Sequence, residues 1–286
     1  MKILLLDYLK LTSPRISMLV VLTGFAGIWA GSGGRASLSL IIPCLAGIGL
    51  ASAGASVFNN YFDRDIDRLM KRTSGRPLPS GRLNPAPSLC FGILLSITAF
   101  AILILFVGEV PAFLALLAVF VYSFLYTVLL KRRTPLATEI GGVSGALPPV
   151  IGWVAAGGGI GVEASVLFAM MFLWQPPHFW SLAMSHRDDY VKASIPSMPV
   201  VISGESMKMR SLIYILALVT VSFMPYIMGM TGRTYLFVSI LSGILYISLG
   251  LAVFFLKKDI NRVIFLYSII YISVNFTFLT FNVQNM

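Results

Sequence analysis

LSLIIPCLAGIGLASAGASVFNNYFDRDIDRLMKRTSGRP, residues 38–77, joins two kinds of sequence that rarely meet in a soluble protein. Its first 21 residues carry no charge. A helix of roughly 20 apolar residues crosses a hydrocarbon core. Its last 19 residues hold three acids and five arginines or lysines. Charge that dense beside a bilayer is costly to keep, which points to function.

The apolar half of that pattern recurs along the chain. Of 286 residues, 57% are hydrophobic and 11% charged, and the mean hydropathy is +0.88. A soluble domain of this length is far less apolar. Nine apolar segments are expected to span, at about 16–33, 38–58, 88–107, 110–130, 137–157, 163–184, 209–229, 234–256 and 263–282. Backbone groups in lipid must be satisfied within the segment, and these runs lack the alternation of barrel strands. The fold class expected is therefore all-α, a polytopic membrane protein forming a single domain over 1–286.

Basic residues orient it, because cytoplasmic loops retain Lys and Arg. From an inside N-terminus, 19 of the 21 basic residues fall on one side, and only Arg35 and Arg233 fall outside. That side holds Lys2, Lys10 and Arg15, the six from Arg64 to Arg82, the 131–133 triplet, the four from Arg187 to Arg210, and Lys257, Lys258 and Arg262. An even number of spans would break the pattern, so the C-terminus is expected outside. The net charge of +10 is then explained by topology and anionic lipid headgroups, and no nucleic-acid partner is expected. Cys44 and Cys90 lack metal-ligand spacing and read as small core residues. The first residues, MKILLLDYLKLTSPR, have an apolar stretch broken by Asp7 and Lys10 and no small-residue cleavage site. Neither a signal peptide nor a transit peptide is evident there, which favours a bacterial-type plasma membrane.

Chemistry concentrates in three places. On a helix turning roughly 100° per residue, Asn59, Asp63 and Asp67 share one face, while Arg64, Asp65 and Arg68 point elsewhere. Two carboxylates with an amide above suit Mg²⁺, a hard cation that keeps part of its shell for substrate phosphates. The second concentration is WQPPHFWSLAMSHRDDY, residues 174–190, where both histidines of the chain lie. His178, Leu182, His186 and then Asp189 or Tyr190 step along one helical face, opening onto Asp188 and Asp189 on the same membrane side as Asp63 and Asp67. The third is a set of cations: Lys131 and Arg132 ending the fourth span, Arg15 at the start of the first, and Arg72 and Arg76. The Gly75 and Pro77 turn lets the last two fold back over the acids. Acids that hold Mg²⁺ beside guanidinium and ammonium groups make a diphosphate site.

NNYFDRDID (59–67) followed by RTSGRPLPSGRL (72–83) resembles the first aspartate-rich motif of the UbiA-type intramembrane prenyltransferases. The similarity runs almost end to end. YTVLLKRRTP (126–135), GGVSGALPPVIGW (141–153), WQPPHFWSLAMSHRDDY and IPSMPVV (195–201) are similar to blocks of the family's haem-modifying branch. In the branch acting on quinone precursors the second motif carries Asp at two positions that here read His186 and Tyr190. That departure leaves Asp188 or Asp189 to serve a second metal site or His186 to meet the diphosphate as a donor.

The resemblance implies a cavity among nine transmembrane helices that opens to the cytoplasmic side. It implies farnesyl diphosphate and haem B as substrates and Mg²⁺ as cofactor. A haem A synthase or a terminal oxidase assembly is the implied receiver of the product. Asn59, Asp63 and Asp67 become the metal set. Lys131, Arg15, Arg72, Arg76, Arg132, Asp188, Asp189 and Tyr190 surround the diphosphate with Asn59, and His178 and His186 are candidates for the chemistry, His178 as haem ligand or base near the vinyl group. Two rivals are an enzyme prenylating an aromatic quinone precursor, which an Asp at position 186 would have favoured, and a transporter. A transporter predicts charges within several spans, whereas here they gather at one face, leaving Glu139 near a span start and Asn275 inside one.

Overall fold

The computed structural model describes residues 2–202, 204–256 and 259–283; Lys257 and Lys258, counted above for orientation, lie outside them. Among the described residues the chain is helical apart from turns and one isolated bridge between Thr231 and Val283. A short α1 (Lys2–Leu11) precedes α2 (Pro14–Gly31), α3 (Leu38–Phe62) and the one-and-a-half-turn α4 (Arg64–Leu69). There follow α5 (Pro85–Phe106), α6 (Glu109–Phe120) with a π-helical continuation over Val121–Leu130, α7 (Ala137–Ala155), α8 (Val162–Ser185), α9 (Arg187–Lys192) and α10 (Met198–Val201). The chain ends with α11 (Gly204–Val221), α12 (Met224–Ile227), α13 (Arg233–Phe255) and α14 (Asn261–Phe281).

Local sequence sets these boundaries. Asn84 caps α5, its side chain accepting the Ala86 N–H at 3.2 Å, and Pro85 takes the first helical position, where no N–H is missed. Gly108 turns α5 into α6 at φ 143°, a conformation that suits glycine alone.

Long helices occupy all nine expected segments, and seven are long and apolar enough to cross a membrane. The exceptions are α7 and α8, whose proline, glycine, glutamine and histidine lower their hydropathy. These two are also the most enclosed. Twelve of the 19 residues of α7 are buried, against four of the 22 of α5. The α7 and α8 pair joins the two large apolar clusters, one shared with α2, α11, α13 and α14 and the other with α2, α3, α5 and α6. A helix surrounded by protein need not be as apolar as one facing lipid, because neighbours satisfy its polar groups. The outer helices show the converse, with Leu94, Leu105, Phe106, Phe237 and Ile244 more than half exposed. The molecule is a multi-pass membrane protein.

Two close approaches hold the centre. Gly24 and Gly27 of α2 lie against Pro148, Pro149 and Gly152 of α7 so tightly that a Cβ on Gly152 would stand 2.0 Å from the Gly24 carbonyl oxygen. Gly145 makes room for Gln175 of α8, which donates to the Gly142 carbonyl at 2.8 Å. Of the cysteines, Cys44 is buried as expected, but Cys90 is exposed on α5; at a peripheral helix a small residue can face outward.

Candidate active site

The acid row survives a break in its helix. Asp63 ends α3 at φ −90° and ψ 0°, yet the one-turn hydrogen bonds carry through it. The Asp63 N–H donates to the Asn59 carbonyl at 2.9 Å and the Asp67 N–H to the Asp63 carbonyl at 2.8 Å. Asn59, Asp63 and Asp67 therefore stay on one side. Asp63 is fully buried and Asp67 nearly so, while Asp65 faces out.

Across from this row stands the π-helical end of the fourth span, where a regular α-helix was expected. Its wider winding is visible in the Lys131 N–H, which donates to the carbonyl of Tyr126, five residues back. Thr127 and Lys131 both reach α3 from it. Lys131 Nζ donates to Asp63 Oδ2, and Asn59 Nδ2 donates to Asp63 Oδ2 at 2.7 Å and to Thr127 Oγ1 at 3.2 Å. Asp63 Oδ1 is buried and has no hydrogen-bond partner among the described residues. Beside the ammonium, the rings of Tyr122 and Tyr126 stack at 5.6 Å. A narrow, open cleft lies there, lined by Tyr126, Lys131, Thr134, Phe179, Trp180 and Tyr190 among others.

Residues 70–83 fold back over the acids as the Gly75 and Pro77 turn predicts. Arg76 NH1 donates to Asp67 Oδ2 at 2.8 Å. The same segment reaches the second motif, since the Arg72 backbone N–H donates to Asp189 Oδ2 at 3.2 Å. Burial alone would raise the Asp189 carboxyl, but the backbone N–H groups of Arg72 and Lys71 outweigh it and hold it below the ordinary carboxylate range. Ile66 and Met70 pack on Ala193, Ile195 and Tyr190. The two motifs, more than 100 residues apart, thus share an apolar seam and backbone hydrogen bonding to Asp189.

Other expected residues stand elsewhere. Arg132 grips the exposed Asp65 with two bonds of 2.6 and 2.7 Å and also donates to the Phe62 carbonyl. Arg15, Arg72 and Asp188 are exposed, and among the described residues neither arginine ion-pairs with Asp63 or Asp67. His178 and His186 do not share a stripe, because α8 ends at Ser185 and His186 sits in the corner before α9 at φ −127°. His178 turns to α14, its ring stacked between Trp174 at 4.4 Å and Phe265 at 4.6 Å, with Nδ1 2.7 Å from Ser268 Oγ. Thr127 and the Tyr122–Tyr126 pair carried no signal in sequence, because the π winding that aims them is not a local preference.

A family model described as the UbiA prenyltransferase family matches residues 20–273. The chain belongs to that family. Among relatives of this prenyltransferase is the protoheme IX farnesyltransferase of Aquifex aeolicus (strain VF5), 47% identical over 94% of this chain and 92% of its own length. That of Neorickettsia sennetsu is 39% identical over 94% and 89%. Among solved structures, a digeranylgeranylglyceryl phosphate synthase matches with a TM-score of 0.80 at 20% identity, covering 97% of this chain and 98% of that one. A UbiA homologue from Archaeoglobus fulgidus, solved with GPP and Mg²⁺, matches at 0.65 with 19% identity over 96% and 99%. At such identities the structures establish the fold; the curated sequences place the chain in the protoheme IX farnesyltransferase branch. Membership of an enzyme family removes the transporter alternative.

Proposed function

We propose that this prenyltransferase transfers the farnesyl group of farnesyl diphosphate to a vinyl group of haem B at the cleft lined by Lys131, which links it to the acid row through Asp63. The branch of the family names the reaction. The observation that carries the site is Asp63 Oδ1, a carboxylate oxygen that is buried and, among the described residues, without a hydrogen-bond partner, which suits a hard cation. Among the described residues no group of three or more His, Cys, Asp or Glu could hold a metal unaided. That agrees with Mg²⁺, which is commonly held by one or two carboxylates together with substrate phosphates. Asn59, Asp63 and Asp67 would hold it, and when bound it supplies Lewis-acid charge to the leaving diphosphate.

The chain's own groups do the rest. Lys131 and Arg76, each hydrogen-bonded to an acid of the row, are placed to take the charge that develops as the C1–O bond breaks and its electron pair leaves with diphosphate. The aromatic and apolar walls keep water from the allylic cation. The vinyl π electrons then form the new C–C bond, and water adds to the resulting cation and loses a proton, giving the hydroxyethylfarnesyl group. Tyr190 lines the same cleft and Asp189 braces its rim, so the second motif is read as support for the first and not as a second metal site. The ends of α3, the fourth span and α8 that build this mouth carry most of the basic residues, which supports a cytoplasmic opening in a plasma membrane, with the N-terminus inside and the C-terminus outside.

Reconstituting purified protein with haem B and farnesyl diphosphate tests the reading. Turnover is expected to vanish with EDTA and to return with Mg²⁺; full turnover in chelator would refute the metal set. His178 is read as packing, because its ring fills an aromatic stack. His178→Phe, which keeps the stack, should leave turnover within about threefold, an energy of well under 1 kcal/mol. Folded His178→Phe protein without turnover would give the imidazole a chemical role.

A further inference from the structure

α1 lies outside every span, and nothing in the chemistry above uses it. Leu4, Leu5, Leu6 and Leu9 are more than half exposed, while Asp7 is 3% exposed and Leu11 fully buried. Leu11 and Tyr8 pack with Val57 of α3 and with Leu78 and Leu83 of the segment after α4. The Tyr8 ring meets Phe91 edge-on at 5.2 Å, and Asn60 Nδ2 donates to the Leu11 carbonyl at 3.3 Å.

The buried carboxylate is the unusual part. Arg82 Nε donates to Asp7 Oδ2 at 3.0 Å, its NH2 donates to Oδ1 at 3.4 Å, and the same NH2 donates to the Gly75 carbonyl at 3.0 Å. Gly75 immediately precedes Arg76, whose guanidinium holds Asp67. An unbroken series of polar links therefore runs from the first helix to the acid row. Residues 70–83 contain no helix or strand, so their backbone depends on such anchors. The hydrogen bonds from Arg82 outweigh burial and hold the Asp7 carboxyl below the ordinary range, keeping the pair charged.

The geometry points to Asp7 as a positioning residue: α1 is a strap that, through Arg82 and the Gly75 carbonyl, sets Arg76 against Asp67 and so sets the affinity for the prenyl diphosphate. This rests on the reading of Arg76 as a diphosphate ligand. A planar guanidinium forks onto both carboxylate oxygens where an ammonium acts as a single point.

The test is steady-state kinetics with both substrates for Asp7→Asn, Arg82→Lys, the exchange Asp7→Arg/Arg82→Asp, and Arg76→Ala. Asp7→Asn is expected to raise KM for farnesyl diphosphate about tenfold while KM for haem B stays within about twofold, the pattern produced when binding of one substrate alone is weakened. Arg82→Lys should raise it less, and the exchange should recover part of the loss. A helix serving stability alone would lower the active fraction and leave both KM values as they are. That result, or a KM that moves equally for both substrates, overturns the strap. Arg76→Ala separates the two readings. If it raises KM for the diphosphate while neither Asp7→Asn nor Arg82→Lys does, the strap fails and the site stands; if none of the three does, both fail. Should Asp7→Asn fail to fold, Arg82→Lys and the exchange decide by the same criteria.

Discussion

Asp63→Ala should abolish turnover, with a loss of at least about 10³-fold, the scale of removing a group that organises charge in a water-excluded site. Three observations support so large an effect. Asp63 is fully buried; one of its oxygens receives both Lys131 and Asn59; and the other has no partner among the described residues. Removing the carboxylate takes away the atom offered to the metal and also the partner that fixes the ammonium. It further leaves Lys131 without its counter-ion in a site where its side chain is 17% exposed, so stability falls as well. Loss of one member of a buried pair typically costs about 3–5 kcal/mol. Asp63→Asn keeps the shape and an acceptor oxygen for Lys131 but loses the charge, so it should cost less stability than Asp63→Ala. Turnover per folded protein, with folding checked by size exclusion in detergent, should be lost in both variants. An active Asp63→Ala would mean that the diphosphate is held elsewhere.

The largest effect on the fold is expected at Gly152. A Cβ there would meet the Gly24 carbonyl oxygen at 2.0 Å and the Ile28 nitrogen at 2.8 Å, and the reciprocal Cβ on Gly27 would meet the Pro149 carbonyl oxygen at 2.0 Å. These obstacles are backbone atoms on both helices, so no rotamer change relieves them and α2 must move off α7. Small residues that let backbones touch are a general basis of helix association in membranes, where burying apolar surface adds little. Gly152→Val should cost at least about 3 kcal/mol, the upper end for overpacking a core. It is expected to lower the thermal midpoint in detergent sharply or to prevent accumulation of folded protein. Two glycines serve as controls. At Gly243 the atoms nearest the new Cβ belong to the Val219 side chain, and at Gly159 no atom of the described residues lies within 4 Å. Alanine at Gly159 should melt like the parent, and a parent-like Gly152→Val would show that the crossing is looser than these distances.

The helices were legible because hydropathy is a property of each segment alone, and every expected span reappears as a long helix. The acid row was legible for the same local reason: a spacing of four survives a helix corner so long as the one-turn hydrogen bonds persist, as they do through Asp63. Arg76 was found through the turn formers beside it. What escaped depends on partners distant in sequence. The Asp7–Arg82 pair spans 75 residues, the hydrogen bond from Arg72 to Asp189 spans 117, and no periodicity announces either. Arg132 shows the opposite case, since nearness to Lys131 suggested a shared task, but the two side chains leave the turn after Leu130 in different directions and Arg132 pairs with Asp65. The histidine stripe assumed that α8 continues past Ser185, and the corner at His186 ends it. The π winding before Lys131 lies against α3 and α7, neighbours that no single segment encodes.

The central claim is that this chain carries the chemistry of its branch at the cleft beside Asp63. The most direct test is a mass spectrum of the pigment recovered after incubating purified protein with haem B, farnesyl diphosphate and Mg²⁺. A pigment heavier than haem B by the mass of farnesol, with diphosphate released in equal amount, is the predicted result. Unaltered haem B, with an aromatic acid prenylated when one is supplied in its place, would contradict it.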